Sequence, residues 1–369
     1  MLEKEQRIQE YYDALHAMPE VGFEEHRTAA WLAEKVKNAG FTVKTGVGGT
    51  GVIATLQGNE PGPTVALRAD MDALQHTVAG KEVCVHSCGH DSHCSMVLTA
   101  AEELAKAGIK RGTLKILFQP AEEKLFGATR MIEAGAIDDV DVLLGIHLRP
   151  GQEASTGQAT PALYHGSSYI MEATITGQTA HGARPHLGIN AIDAAAAAVT
   201  AVNAIHINPV IPCSCKVTKL TAGGATLNQI PDKAVMALDC RAQQNDTMQT
   251  LLLKAEAAIK AGAATVGATA ETVVKGGVPG AEYHPEIIEL AREAIRTVLG
   301  EQGLLEPIVT PGGEDFHNFV KAKPSLKAGY IGLGCNLTPG LHDPSMKFDR
   351  SAMINGADIL TVMVGKLLN

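Results

Sequence analysis

The 369-residue sequence lacks the features that would settle its class cheaply. No long basic run appears, and Lys plus Arg number 31 against 40 for Asp plus Glu, a net charge of −9. Electrostatic attachment to nucleic acid or to an anionic membrane surface is therefore not expected. Seven cysteines, odd in number and scattered, do not form a disulfide framework. The longest mainly apolar runs, such as 191–202, contain polar residues and fall short of the roughly 20 residues of a membrane span. Residues Met1 to Arg7 are charged where a leader peptide would be apolar, so a cytoplasmic, membrane-free protein is the expectation. Ordinary content remains: 45% hydrophobic and 19% charged residues, in a length of about two domains. Fourteen histidines exceed what a bland domain needs.

Helical patterns at 6–17 and 28–39 precede short β-branched runs at 41–43, 51–56 and 64–67. A helix over 96–107, a strand over 114–118, a helix over 128–134 and a strand over 142–146 follow. Strands alternating with helices, several of them wholly apolar, predict an α/β fold with a mainly parallel sheet covered on both faces. Between about 162 and 276 the order becomes β-α-β-β-α-β, the pattern of a small ferredoxin-like α+β domain. The expected organisation is a catalytic domain, 1–162 and 277–369, interrupted by an insertion at 163–276.

Three polar clusters stand where apolar runs end. They are His86-Ser-Cys88-Gly-His90-Asp91-Ser-His93, Gln119-Pro-Ala-Glu122-Glu123 and Gly145-Ile-His147. Ligands of open α/β sheets collect beyond the carboxyl ends of the strands, so these segments can converge. Thiol, imidazole and carboxylate together are the donors of a borderline metal such as zinc. A thiolate can bridge two cations, and the donors exceed what one tetrahedral ion needs. A two-metal site is the reading. At the Glu122-Glu123 turn one carboxylate can ligate while its neighbour takes a proton from activated water. His342, in Gly340-Leu-His342-Asp343-Pro, is a turn histidine or a fifth ligand joining the C-terminal segment to the rest. Two rivals stay open: a cysteine hydrolase with Cys88 as nucleophile, and a ligand-binding module that has lost the reaction.

Here the sequence resembles the M20 metallopeptidases, in the amidohydrolase branch of N-acyl-amino-acid deacylases, hippurate hydrolases and auxin-conjugate hydrolases. The resemblance rests on Leu15-His-x-x-Pro-Glu20, Gly48-Gly-Thr-Gly51, Leu67-Arg-Ala-Asp-Met-Asp-Ala-Leu74, Cys88-Gly-His-Asp-x-His93 and Gln119-Pro-Ala-Glu-Glu123. Further on come Gly145-x-His147, Ala180-His181, Gly223-Gly-Ala-x-x-Asn228-x-Ile-Pro-Asp232, Glu314-Asp-Phe316 and Leu341-His-Asp-Pro344. It implies that Cys88, His90, Glu123, His147 and His342 hold two divalent ions (zinc, manganese, cobalt or nickel). Glu122 would be the general base and then the acid, and Asp70 a supporting aspartate. Arg68 stands where other branches place a metal-binding histidine. The insertion would be a lid and the contact of a homodimer. From it His181 would polarise the scissile carbonyl, in cis or in trans. Asn228 and Arg241 would hold a substrate carboxylate, a surface strand-end arginine being the competing reading of Arg241. The implied reaction is hydrolysis of the amide of an N-acyl amino acid or similar conjugate, with a dipeptidase of the same fold as the alternative.

Gln75-His76 departs from the branch's usual pocket-wall residues. Cys84 and Cys94 read as packing residues, and His93 as a helix-start histidine or supporting donor. Cys213-x-Cys215 has no histidine neighbour in sequence to complete a metal set.

Overall fold

A computed structural model describes residues 2–369. In chain order the first segment holds α1 (Leu2–His16), α2 (His26–Asn38), β1 (Thr42–Val47), β2 (Gly51–Gln57), β3 (Glu60–Asp70), β4 (Leu74–Val78) and β5 (Lys81–Val85). It continues through α3 (His90–Ala107), β6 (Arg111–Gln119), α4 (Gly127–Glu133), β7 (Val142–Pro150), β8 (Ala159–Thr160) and β9 (Leu163–His165). The middle segment comprises β10 (Ser167–Thr176), β11 (Ala180–His181), α5 (Ala191–Asn203), β12 (Cys213–Ala222), β13 (Gln229–Ile230), β14 (Lys233–Ala242), α6 (Asn245–Ala264) and β15 (Thr269–Val278). Last come α7 (Pro285–Leu299), β16 (Ile308–Thr310), α8 (His317–Ala322), β17 (Lys327–Leu337) and α9 (Met353–Leu368).

Two compact units result. One is the chain up to Tyr164 with Glu282–Val309 and Asp315–Asn369; the other is His165–Ala281 with Thr310–Glu314.

In the larger unit a seven-stranded sheet runs β1-β2-β6-β3-β7-β17-β8. The β6/β3, β3/β7 and β7/β17 pairs are parallel, whereas β1/β2, β2/β6 and β17/β8 are antiparallel. The expectation of a mainly parallel sheet thus describes the four central strands and not the edges. Apolar runs do not encode strand direction. The short Gly48-Gly49 connection between β1 and β2 permits only an antiparallel return. Every residue of β7 is buried. Its Val142, Leu144, Ile146 and Leu148 face one apolar layer, and Leu143 faces another with Phe316, Phe319 and Tyr330. That is the two-residue alternation of a strand covered on both sides.

The helices follow the same logic. Ile8, Tyr11, Tyr12 and Leu15 of α1 are buried at intervals of three and four residues, a single apolar stripe. Arg350–Leu368, which contains α9, is long and apolar enough by composition to cross a membrane, and half of it is buried inside the protein. Met353, Ile359, Leu360, Met363 and Val364 spend that apolarity on the core.

The smaller unit is a four-stranded antiparallel sheet, β12-β14-β10-β15, in the order β-α-β-β-α-β with α5 and α6. The Asn190 side chain accepts from the Ile192 N–H at 3.0 Å and starts α5. Ala191, Ala194, Ala195, Ala198 and Val202 then form its buried face. At Gly262 of α6 a Cβ would lie 2.6 Å from the Ala198 Cα, so only glycine permits this helix approach.

Candidate metal centre

The parallel strands carry the donors to one end of the sheet. Asp70 ends β3, Gln119 ends β6 and leads into Glu122 and Glu123, and His147 lies near the end of β7. The Cys88 loop enters α3 directly, with Gly89 at φ 87° and His90 as the first helical residue. His342, itself left-handed at φ 65°, donates its backbone N–H to the Ser87 carbonyl at 2.7 Å.

These segments bring together two sets of three donors, each with all ligand atoms within 4.8 Å of one another. One is Cys88, His90 and His147; the other is Cys88, Glu123 and His342. The two share the Cys88 sulfur. Within the cluster, Cys88 Sγ lies 3.6 Å from His147 Nε2, and His342 Nε2 lies 3.3 Å from Glu123 Oε1. Glu122 is buried and stands in a further set with His90 and Glu123.

The surroundings fix which atoms are offered. His90 Nδ1 faces the Asp72 carbonyl at 3.0 Å and its carboxylate at 3.1 Å, leaving Nε2 toward the cluster. His147 Nδ1 faces the Leu148 carbonyl at 2.7 Å, leaving Nε2 beside Cys88. An imidazole held by an oxygen acceptor on one nitrogen and open on the other is the arrangement of a metal-ligating histidine. Two buried atoms, His90 Nε2 and Glu123 Oε1, make no well-aligned hydrogen bond, although His342 Nε2 stands 3.3 Å from the latter. Buried polar atoms are rarely left so, and divalent cations would satisfy both. The donors present therefore fit a pair of metal ions.

Electrostatics agree. Burial pushes the Cys88 thiol up, and Glu123 adds to it, so a thiolate here requires positive charge beside it. Burial opposes protonation of His90, yet Asp70 and Cys88 outweigh it and raise its pKa, marking the pocket as strongly anionic. Burial, with His93 and Arg149, holds His147 well below its ordinary range, neutral and able to donate a lone pair.

A fourth set, Asp70 with His90 and His93, is also close enough for an ion. Its acceptors are already engaged. His93 Nδ1 lies 2.7 Å from Asp70 Oδ1, and Arg68 Nη1 donates to Asp70 Oδ2 at 2.7 Å. Burial alone would raise the Asp70 carboxyl; His90, Arg68 and His93 together hold it well below. Arg68 itself is buried, donating also to Gln119, Tyr330 and Asp315. His93 lies in the first turn of α3 and braces Asp70, and Cys94 is a packed thiol against the Asp70 carbonyl at 3.0 Å. His76 reaches the Ser87 hydroxyl at 2.7 Å, and Cys84 is half-buried on β5.

Several supporting residues escaped the sequence reading. Asp72 holds His90 and accepts the Glu123 N–H at 3.0 Å. Glu25 accepts the Ala121 N–H at 2.8 Å and the Thr50 hydroxyl at 2.5 Å. Ala121 is left-handed at φ 51°, which bends the chain so that Glu122 and Glu123 can both address the cluster. Thr50 gives the Gly48–Gly51 turn its purpose, and His16 faces Asp91 at 2.7 Å.

In the smaller unit His181 is exposed, and its Nδ1 accepts the Ala183 N–H at 3.0 Å. His181 and Asn228 are brought side by side, the Gly182 N–H donating to the Asn228 carbonyl at 2.7 Å. Arg241 stands toward the other end of β14 and pairs with Asp239 at 3.0 Å.

The sequence profile of peptidase family M20/M25/M40 matches residues 66–366. Indole-3-acetyl-aspartic acid hydrolase of Enterobacter agglomerans is 30% identical over 95% of this chain and 85% of its own. N-acetyl-L-cysteine deacetylase of Bacillus subtilis is 29% identical, covering 96% and 86%. The crystal structure of a dinuclear metal-binding M20 peptidase from Bacillus subtilis superposes with a TM-score of 0.83 at 26% identity, covering 100% of this chain and 99% of that one. With the profile spanning most of the sequence and the fold shared throughout, the chain belongs to the M20/M25/M40 family of peptidases.

Proposed function

We propose that this protein is a metal-dependent amidohydrolase that cleaves the amide bond of N-acyl amino acids or similar small conjugates. The observation that carries the reading is the convergence of two donor triads on the single Cys88 sulfur, with Glu122 buried beside them. One ion would be held by Cys88, His90 and His147, the other by Cys88, Glu123 and His342. Such ions lower the pKa of bound water toward about 7 and polarise a carbonyl oxygen. Glu122 takes the proton of the attacking water and returns it to the leaving nitrogen. Asp72 keeps His90 in position, Asp70 stands beside it held by His93 and Arg68, and Glu25 keeps the turn that separates the two glutamates. His181 polarises the scissile carbonyl, in cis or in trans, while Asn228 and Arg241 bind the substrate carboxylate. The relatives that hydrolyse indole-3-acetyl-aspartate and N-acetyl-cysteine support this substrate class. A cysteine hydrolase is disfavoured because a thiolate shared by two cations is not a free nucleophile.

We also assign 163–276 as a lid and the contact of a homodimer, a reading supported by a small sheet ending in the edge strands β12 and β15. The seven free cysteines support a reducing, cytoplasmic setting. The test is release of free amino acid from a panel of N-acyl amino acids and dipeptides, with zinc, manganese, cobalt or nickel added. Turnover of acylated amino acids that disappears on chelation and returns with metal supports the proposal. Preferential turnover of dipeptides would reassign the chain as a dipeptidase, and full activity in metal-free protein would overturn the mechanism.

A further inference from the structure

Three of the seven cysteines, Cys213, Cys215 and Cys240, belong to the smaller unit, whereas the donors of the candidate metal centre belong to the larger. Cys215 on β12 and Cys240 on β14 are directly opposed in an antiparallel register, Cys215↔Cys240. Their sulfurs are 3.5 Å apart. Residues opposed in this way have Cα atoms about 4.5–5.5 Å apart, inside the range of about 4.4–6.8 Å that a disulfide spans. Rotation of the two side chains can therefore close the remaining distance without moving the strands. Cys240 is fully buried, while Cys215 lies at the edge of accessibility, at 9% exposure. A cavity of about 370 Å³ opens beside it, lined by Val202, Pro212, Cys213, Cys215, Lys216 and Leu251 among others. A small oxidant has a route to Cys215 and none of comparable ease to Cys240.

We propose that Cys215 and Cys240 form a redox modification site: a peroxide-class oxidant entering this cavity converts the pair to a cross-strand disulfide. The Cys215 thiolate attacks one peroxide oxygen, an S–O bond forms, the O–O bond breaks and hydroxide leaves. Cys240 sulfur then attacks the Cys215 sulfur, the S–S bond forms, and the sulfenic oxygen departs as water with the Cys240 proton. Two electrons pass from the two sulfurs to the peroxide, and a small thiol returns them by exchange. The hydrogen bond from Cys240 lowers the Cys215 pKa against the opposing effect of burial, with Lys216 nearby, which makes Cys215 the sulfur that reacts first. Cys213 lies two residues along the same strand opposite Ala242, so it faces no thiol across the sheet.

The full-length protein is exposed to hydrogen peroxide, its free thiols are alkylated without denaturant, and its peptides are mapped by mass spectrometry. The expected result is a linked pair containing Cys215 and Cys240, lighter by two hydrogens and separated again by dithiothreitol. Cys213→Ser should leave that link intact. Cys240→Ala should abolish it and leave a Cys215 sulfenic acid trapped by dimedone. The proposal is overturned if Cys215 and Cys240 remain reduced while Cys213 is oxidised. It is equally overturned if the linked peptide pairs Cys213 with Cys215. Because the readout is covalent mass, failure here leaves the amidohydrolase reading untouched.

Discussion

Arg68 and Tyr330 reach one another across Gly145, the guanidinium donating to the tyrosine hydroxyl at 3.1 Å. The three residues form one row of the sheet, Arg68 and Tyr330 each being in register with Gly145. A Cβ at Gly145 would lie 2.3 Å from the Tyr330 ring. Gly145→Ala should therefore displace Tyr330 and destabilise the protein by about 1–3 kcal/mol, as overpacking does. Chemical denaturation of both proteins measures it, and an unchanged midpoint would show that the ring has room to move.

Glu25 touches no metal donor, yet it holds the turn that presents two of the site's carboxylates. Glutamine at this position keeps an acceptor for the Ala121 N–H but sets an amide N–H against Thr50, whose hydroxyl must then turn to accept instead of donate to a charged carboxylate. Glu25→Gln should lower kcat about tenfold, equivalent to about 1.4 kcal/mol of barrier, with KM and bound metal nearly constant. Loss of metal together with kcat would mean that Glu25 supports the ligands rather than the base.

Glu122→Gln removes the proton acceptor and keeps the shape. Metal content measured by atomic emission should match the parent, while turnover falls by about 10²–10⁴. Near-normal turnover would remove Glu122 from the role of base.

His342→Ala should reduce bound metal from about two ions to about one per chain, because it removes a donor from only one of the two triads. Retention of both ions would exclude His342 as a ligand.

Glu20 accepts hydrogen bonds from the Arg27 and Thr28 N–H groups at the start of α2, at 3.0 and 2.9 Å. Burial tends to raise its pKa, but these bonds and the Arg27 side chain outweigh it and bring the carboxyl below 4.5. A carboxyl lowered by folding contributes stability above its unfolded pKa and loses it as pH falls through the folded value. Glu20→Gln should cost about 0.5–1 kcal/mol at neutral pH, a modest figure for a partly solvated cap. The difference between variant and parent should shrink below about pH 4.5. A pH-independent difference would assign the loss to packing.

The convergence of Cys88, His90, Glu123, His147 and His342 was legible because their chemical types suit one cluster and most of them stand where apolar runs end. Leu15-His-x-x-Pro-Glu20 was legible only as a motif, whereas the structure gives it three physical reasons. Leu15 is buried, His16 faces Asp91 and Glu20 caps α2. Glu25, Thr50 and Asp72 act by proximity, and no local periodicity or spacing marks a carboxylate that holds a distant N–H. The antiparallel edges were hidden for a related reason: an apolar strand reads the same in either direction. The β-α-β-β-α-β order of the smaller unit was readable because its strands and helices alternate in length and period along the chain.

The hydrogen bond between His342 and Ser87 has a bearing on how the protein is made. Ser87 leaves the ribosome long before His342, and β17, which completes the parallel centre beside β7, is made between them. On the proposed ligand set, Cys88, His90, Glu123 and His147 all precede the fifth donor, His342, in the chain. The second donor triad of that set is complete only once the segment carrying His342 has followed β17.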